Sequence, residues 1–266
     1  RGSVTFLRSG YQAIKNGYLA LRYGYSHSQQ DGSFKRRLGW LMYLLPVRRN
    51  ETDWSVRLLN ARVAGTLLDI GCGSGRWLLG MRDLGWQVTG LDFDHAAVAQ
   101  ARSLGVQADC GALESQRYPD ESFDAITLNH VIEHVPDPVA TLRECLRILK
   151  PGGEIILLTP NSDSFGHRVF RRAWRGLEPP RHIHIFNPTS IRQALRHAGF
   201  NDFEVETTNS LYIWEQSLRL SRGALASNEH RIRRGLVARL LAVTEQALLI
   251  GSKGVGECLA VHVTKA

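Results

Sequence analysis

Gly71, Gly73 and Gly75 stand in LLDIGCGSGRW, residues 67–77, between an apolar run and a helical pattern. Without a Cβ, glycine reaches dihedrals that other residues avoid and lets a ligand lie against bare main chain. The helix N-terminus that follows favours negative charge. An anionic or carboxylate-bearing ligand is therefore expected there. The dinucleotide fingerprint places its third glycine one residue later, where this chain has Arg76, so the spacing disfavours NAD. Downstream, WQVTGLDFD ends an apolar strand with Asp92, at the spacing where a carboxylate accepts both hydroxyls of a ribose. A third strand, GVQADC, ends at Asp109, placed to meet an adenine edge.

Two histidine groups carry the remaining candidate chemistry. His130, Glu133 and His134 spell H-x-x-E-H, a zinc signature that needs one continuous helix to bring both imidazoles to one face. A strand ending at Asn129 and the nearby Pro136 argue against that helix, so no metal is expected. In EPPRHIHIFNP, residues 178–188, His182 and His184 alternate with Ile183 and Ile185, and period two puts both imidazoles on one face of an extended segment. No carboxylate cluster in sequence accompanies them as metal ligands would require, so substrate contact or base catalysis is the expectation, with Arg181 as an anion clamp. Histidine's ordinary pKa of about 6.5 suits a base near neutrality.

These residues need a scaffold that returns strand ends to one edge. Strands are predicted at 66–70, 87–91, 106–109, 124–129, 154–159, 201–207 and 258–264, alternating with helices near 76–84, 95–104, 138–149 and 189–198. Such alternation calls for an α/β fold with a parallel sheet covered on both faces. The helix after Asp137 is the best marked: Asp137 as N-cap, Pro138 in the first position, Val139, Leu142, Leu146 and Leu149 on one face, and a Pro-Gly-Gly turn at its exit. The chain thus divides into an N-terminal helical extension (1–60), a core (61–209), a helical insertion (210–252) and a last core strand (253–266). The insertion holds LYIWEQSLRL and RIRRGLVARLLAVTEQALLIG, the second with helical apolar spacing behind arginines. It and the N-terminal FKRRLGWLMYLLPVRR are expected to pack on something, protein or membrane surface, rather than to cross a bilayer.

Five landmarks occur in order: DIGCGSG, the acidic strand end at Asp92, the strand end at Asp109, the segment FDAITLNHVIEH, and LKPGG. In this the chain resembles the class I S-adenosylmethionine-dependent methyltransferases, within the broad small-molecule and ubiquinone-biosynthesis-like group, from about Leu67 to Phe200. The resemblance implies a Rossmann-like, seven-stranded, mostly parallel sheet with an antiparallel last strand. It implies S-adenosylmethionine as cofactor and S-adenosylhomocysteine as product. The methionyl end would lie near Asp69, Gly71, Cys72, Gly73 and Gly75, the ribose at Asp92, and the adenine against Phe93, Asp109 and Cys110, with Asn129 at the next strand end. It also places His134 in a loop over the active site and His182 and His184 beside the acceptor pocket, making these three the candidate catalytic residues. O-methylation of a small-molecule, lipid-linked or glycan acceptor is the leading expectation. N- or C-methylation, or a non-catalytic cofactor-binding protein, is the alternative.

Composition supports an enzyme of ordinary globular type, 43% hydrophobic and 22% charged over 266 residues. The net charge of +8 is uneven: +7 in residues 1–60, −5 in 61–160, +5 in 161–200 and +1 thereafter. Cations gathered away from the cofactor half point to an anionic acceptor or an anionic membrane face. Nucleic acid is disfavoured, because the arginines are not interleaved with the aromatic pattern of an RNA module. Four scattered cysteines without a C-x-x-C pair fit a reducing compartment, and a cytoplasmic location, with peripheral membrane contact left open, is the expectation.

Overall fold

The computed structural model describes residues 2–25, 33–62, 65–221, 237–238, 240–241, 244–245 and 254–266. In chain order its elements are α1 (Gly2–Arg22), α2 (Ser33–Leu38), a 3-10 segment at Gly39–Leu44 and α3 (Pro46–Ser55), then β1 (Thr66–Ile70), α4 (Arg76–Asp83), β2 (Gln87–Asp92), α5 (His95–Ser103) and β3 (Gln107–Cys110). There follow α6 (Leu113–Gln116), β4 (Phe123–Asn129), α7 (Pro138–Ile148), β5 (Leu149–Pro160), α8 (Phe165–Phe170), α9 (Pro188–Ala198), β6 (Phe203–Thr208), α10 (Leu211–Ser221) and β7 (Cys258–Thr264). The strands form one sheet in the order β3-β2-β1-β4-β5-β7-β6. β1 to β3 pair in parallel, and β7 runs antiparallel to both β5 and β6, as the resemblance implied.

The chain divides into two compact units, Arg1–Ala112 with Phe123–Thr127, and Leu113–Ser122 with Leu128–Ala266. In the first, β1 is buried continuously from Leu67 to Ile70, as in a strand covered on both faces, with Asp69 the one polar side chain in that run. Leu78 and Met81 of α4 and Val98 and Ala101 of α5 supply buried contacts beside it. Gly75 is the hinge of this packing: its φ is +72°, and a Cβ there would come within 2.9 Å of the Ala101 Cβ.

In the second unit α7 begins as predicted, with the Asp137 carboxylate accepting from the Ala140 N–H at 2.9 Å and Pro138 in the first turn. Its buried face is Thr141, Leu142, Cys145 and Ile148, rotated from the predicted stripe, with Val139 and Leu146 half-buried. The Pro-Gly-Gly exit is not a free turn. It opens β5 and still turns, with Gly152 at φ +68°; the Gly152 N–H donates to the Lys265 carbonyl at 2.8 Å and the Lys265 N–H to the Gly153 carbonyl at 3.0 Å, so Lys265 ties the turn to the sheet. α9 carries a capping box at Asn187 and Ser190 and ends on Gly199 in the left-handed region.

The predicted insertion begins with α10, whose Trp214 and Leu218 are buried together with Ala238. Most of RIRRGLVARLLAVTEQALLIG lies outside the described residues. Among the described residues no helix is long and apolar enough to cross a membrane.

Candidate functional site

The first cluster lies in the first unit and is built on the ends of β1, β2 and β3. Gly71 and Gly73 have φ of +73° and +53°. The turn's N–H groups are largely committed to the fold: Gly71 and Cys72 donate to the Leu91 carbonyl, Gly75 to that of Cys72, and Gly73 to the Asp92 carboxylate at 2.8 Å. The turn is a braced wall. Asp92 is the brace, one oxygen on Gly73 and the other accepting from the Asp94 N–H at 2.9 Å, and each oxygen keeps a lone pair for further donors such as hydroxyls.

Behind the turn, Asp69 is fully buried. Arg57 donates to its Oδ1 and, at 2.8 Å, to Thr127 Oγ1, which in turn donates to Asp69 Oδ1 at 2.8 Å. The Arg57 guanidinium also sits 3.6 Å from the centroid of the Trp77 ring. Burial pushes the Asp69 carboxyl above its usual range, and Arg57 works against that shift. Asp69 Oδ2 is buried with no hydrogen-bond partner among the described residues. Cys72 is buried too, its thiol pushed up to about 12 by desolvation, with Asp69 and Asp92 adding to it, so it is no nucleophile. Gly90, not singled out from sequence, makes room for Cys72: a Cβ there would lie 2.6 Å from its Sγ.

Phe93 follows Asp92 on the surface, 62% exposed, and Cys110 Sγ lies 3.3 Å from His95 Nδ1. The group that the resemblance implies fits these residues on two observations. A Cβ at Gly73 would meet nothing within 4 Å, so the space before the turn is open to a ligand, and the orphaned Asp69 Oδ2 is an acceptor awaiting a donor such as an ammonium. Asn129, the remaining cofactor candidate, ends β4 and belongs to the second unit.

The second cluster lies wholly in the second unit, around a cleft of about 230 Å³ lined by His130, His134, Arg175, Arg181, His182 and Tyr212 among others. The 130–137 segment is a series of turns, as Pro136 suggested, and His130 adopts φ +56°. The His182 segment is extended, and the Ile183 and His184 N–H groups both donate to the Glu133 carbonyl, at 3.0 and 3.1 Å. That anchoring turns the His182 side chain inward, 5% exposed, and leaves Ile183 and Ile185 in solvent.

His134 Nδ1 lies 2.8 Å from the Arg181 carbonyl and His182 Nδ1 lies 2.6 Å from the Gly176 carbonyl, so each donates there and keeps its lone pair on Nε2. The two rings meet edge to face at 4.7 Å. Beside them stands the buried Glu133 carboxylate, with Oε1 3.2 Å from His130 Nδ1 and 4.0 Å from His182 Nε2, and Oε2 accepting from Thr159 Oγ1 at 3.0 Å. Burial raises the Glu133 carboxyl, but the His130 bond, helped by a backbone hydrogen bond, outweighs it and holds the pKa below its usual value. Burial holds that of His182 below the usual histidine value, so it is a neutral imidazole at neutral pH.

Two expectations change here. A carboxylate does accompany the histidines: one ligand atom each from Glu133, His134 and His182 lies within 4.8 Å of the others, a set able to hold a proton or a divalent ion. His184 stands outside that set, its Nε2 3.3 Å from the Pro136 carbonyl. Arg181 is no free clamp either, because Glu178 pairs with it at 2.8 Å and with Arg175 at 2.7 Å. Glu133, Glu178 and Arg57 went unassigned from sequence. Only Glu133 carried a signal, in H-x-x-E-H.

Residues 47–205 match the family model described as a methyltransferase domain. The chain belongs to that family. It is a class I S-adenosylmethionine-dependent methyltransferase. Ubiquinone biosynthesis O-methyltransferase of Xanthomonas oryzae pv. oryzae is 34% identical over 193 residues, covering 67% of this methyltransferase and 78% of the relative. Among solved structures, a possible histamine N-methyltransferase of Thermotoga maritima superposes with a TM-score of 0.55 at 20% identity, over 99% of this chain and 96% of that one. Phosphoethanolamine N-methyltransferase 2 of Haemonchus contortus, in complex with phosphomonomethylethanolamine and S-adenosylhomocysteine, gives 0.53 at 20% identity, over 77% of this chain and 50% of that one. At these identities the structures share the fold with this methyltransferase, whatever the acceptor.

Proposed function

We propose that this methyltransferase methylates a hydroxyl oxygen of a small-molecule, lipid-linked or glycan acceptor of anionic character. The observation that supports this reading best is the pair of imidazoles, His134 and His182, each pinned through Nδ1 to a backbone carbonyl and each presenting a lone-pair Nε2 in the cleft beside Glu133. The cofactor, when bound, supplies a methyl already activated on a sulfonium. The protein's share is to align and desolvate the acceptor, worth ~7 to 11 kcal/mol where orientation is good, and to take the hydroxyl proton. A neutral His182 does the latter, and the Glu133 carboxylate stabilises the imidazolium that forms. The Asp92 carboxylate would accept the ribose hydroxyls, the open face of Gly73 would border the methionyl end, and Asp69 Oδ2 would accept from its ammonium.

The name of the Xanthomonas relative favours oxygen over nitrogen as the acceptor atom. Single-turnover methyl transfer to a panel of phenols, carboxylates and amines tests this: a phenol or alcohol should turn over, and His182→Gln should slow the chemical step while leaving affinity for S-adenosylhomocysteine unchanged. Turnover of an amine or carboxylate alone, indifferent to His182, would overturn the reading. One observation favours a second form of it, in which Glu133, His134 and His182 hold a divalent ion that lowers the acceptor's pKa, each histidine already carrying the backbone bond that orients metal-binding imidazoles. Stimulation of turnover by added Mg²⁺ or Zn²⁺, abolished in His182→Gln, separates the two.

A further inference from the structure

A second surface lies within the first unit and apart from the chemistry. In the segment Gly39–Leu44 successive turns of a 3-10 helix bring every third residue onto one face. Gly39 and Met42 form the inner face. Met42 is fully buried, and a Cβ on Gly39 would come within 2.5 Å of the Gly17 carbonyl carbon, so the segment is pressed onto α1. Tyr43 stacks edge-on against Tyr18 at 5.6 Å, and the Tyr18 and Tyr23 hydroxyls both donate to Asp53 Oδ1, at 2.7 and 2.8 Å. With one face so fixed, the others are held outward: Trp40 is 61% exposed, Leu44 75%, and Leu41, Tyr43 and Leu45 are exposed beside them.

A run of five apolar side chains in water is a cost that a folded protein avoids unless the surface is used. The flanks tell what uses it. Arg36 and Arg37 precede it, exposed and with no ion pair among the described residues, and Arg48 and Arg49 follow it, Arg49 lying 5.5 Å over the Tyr43 ring. Of the acidic side chains among the described residues that flank it, Glu51 is paired with Arg48 at 2.9 Å and Asp53 accepts from the Tyr18 and Tyr23 hydroxyls. Trp and Tyr amid aliphatic residues, rimmed by arginines, match the layered chemistry of a bilayer interface, where rings sit at headgroup depth and cations meet anionic phosphates.

We propose that Gly39–Leu45, with Arg36, Arg37, Arg48 and Arg49, docks this methyltransferase on an anionic lipid bilayer. Flotation of the full chain with vesicles tests it. The wild type should float with phosphatidylcholine–phosphatidylglycerol vesicles at low salt and should not float with phosphatidylcholine alone. Trp40→Ser with Leu44→Ser, and separately Arg36→Glu with Arg37→Glu, should each weaken binding at least tenfold, with the circular dichroism spectrum and the affinity for S-adenosylhomocysteine unchanged. Brominated lipid should quench the protein's tryptophan fluorescence, and Trp40→Phe should lose that quenching while still floating. Failure of the wild type to bind anionic vesicles, or equal binding by the variants, would overturn the proposal. So would a dimer in sedimentation velocity that Trp40→Ser with Leu44→Ser dissolves, since a second copy would then be the occupant. None of these outcomes depends on methyl transfer, so the docking surface can fail while the enzymatic reading stands.

Discussion

At Gly73 the backbone takes φ +53° and the space a Cβ would enter is empty, so a larger side chain there costs strain and fills the volume before the turn. Gly73→Val is expected to weaken S-adenosylhomocysteine at least tenfold in calorimetric titration with the fold preserved. Asp92→Ala should match it, by removing both a ribose acceptor and the brace on the Gly73 N–H. Unchanged affinity in folded variants would move the cofactor elsewhere. Arg57 makes a different kind of contribution. It is the cation that offsets the burial of the Asp69 carboxyl, and removing one partner of a buried pair leaves the other uncompensated. Arg57→Met should therefore lower stability by about 3–5 kcal/mol in urea denaturation, and a second change, Asp69→Asn, should recover part of it. For His182, whose pKa is depressed by burial, the sign is fixed: the base stays neutral to a pH below histidine's ordinary 6.5, so the acid limb of the methyl-transfer rate should fall below that value and vanish in His182→Gln.

Within the elements, the buried carboxylates of the second unit set a pH response of their own. Trp214 of α10 donates to Glu245 at 2.7 Å, and burial, aided by the nearby Glu257, raises the Glu245 carboxyl to about 8. The folded chain thus holds a proton that the unfolded chain releases near 4.5, and the stability this gives is lost as pH rises between about 4.5 and 8. The melting temperature should decline across that window, and Glu245→Gln, which keeps the acceptor oxygen and cannot ionise, should flatten the decline. An equal slope in the variant would mean that Glu245 is solvated. No such pair was legible in the sequence, because Trp214 and Glu245 lie far apart along the chain and neither belongs to a motif. What was legible was local: all seven strands and the four core helices follow from period and, at α7, from the Asp137 cap. The α7 face was half placed: Leu142 and Leu149 are buried as expected, while Thr141, a polar residue that a hydrophobic pattern passes over, is buried where Val139 and Leu146 are not. The Pro-Gly-Gly turn was legible, but its tie to the sheet was not, because the partner is Lys265, more than a hundred residues on. The same holds for the site: glycines and strand-end aspartates announce themselves by spacing, whereas the Arg57–Asp69–Thr127 triad and the meeting of Glu133 with His182 exist only once the chain has folded.

Across the whole molecule, charge is sorted by segment rather than spread evenly. Residues 61–160 carry −5 and residues 161–200 carry +5. The structure refines which of these cations are available. Arg175 and Arg181 share a single partner, Glu178, whereas Arg168, Arg171 and Arg172 are exposed and without an ion pair among the described residues. Unpaired cations grouped on one segment raise the local concentration of negative ligands, and their reach contracts as the screening length falls from ~10 Å at 0.1 M salt to ~3 Å at 1 M. With an anionic acceptor, kcat/KM should therefore drop steeply with salt while that for a neutral isostere stays flat, and Arg171→Glu with Arg172→Glu should reproduce the high-salt value at low salt without altering affinity for S-adenosylhomocysteine. The effect should fall on KM rather than kcat, since these side chains collect the acceptor and take no part in the proton transfer assigned to His182. If a neutral acceptor turns over as well as its anionic counterpart and neither responds to salt, these arginines serve only to keep the protein soluble.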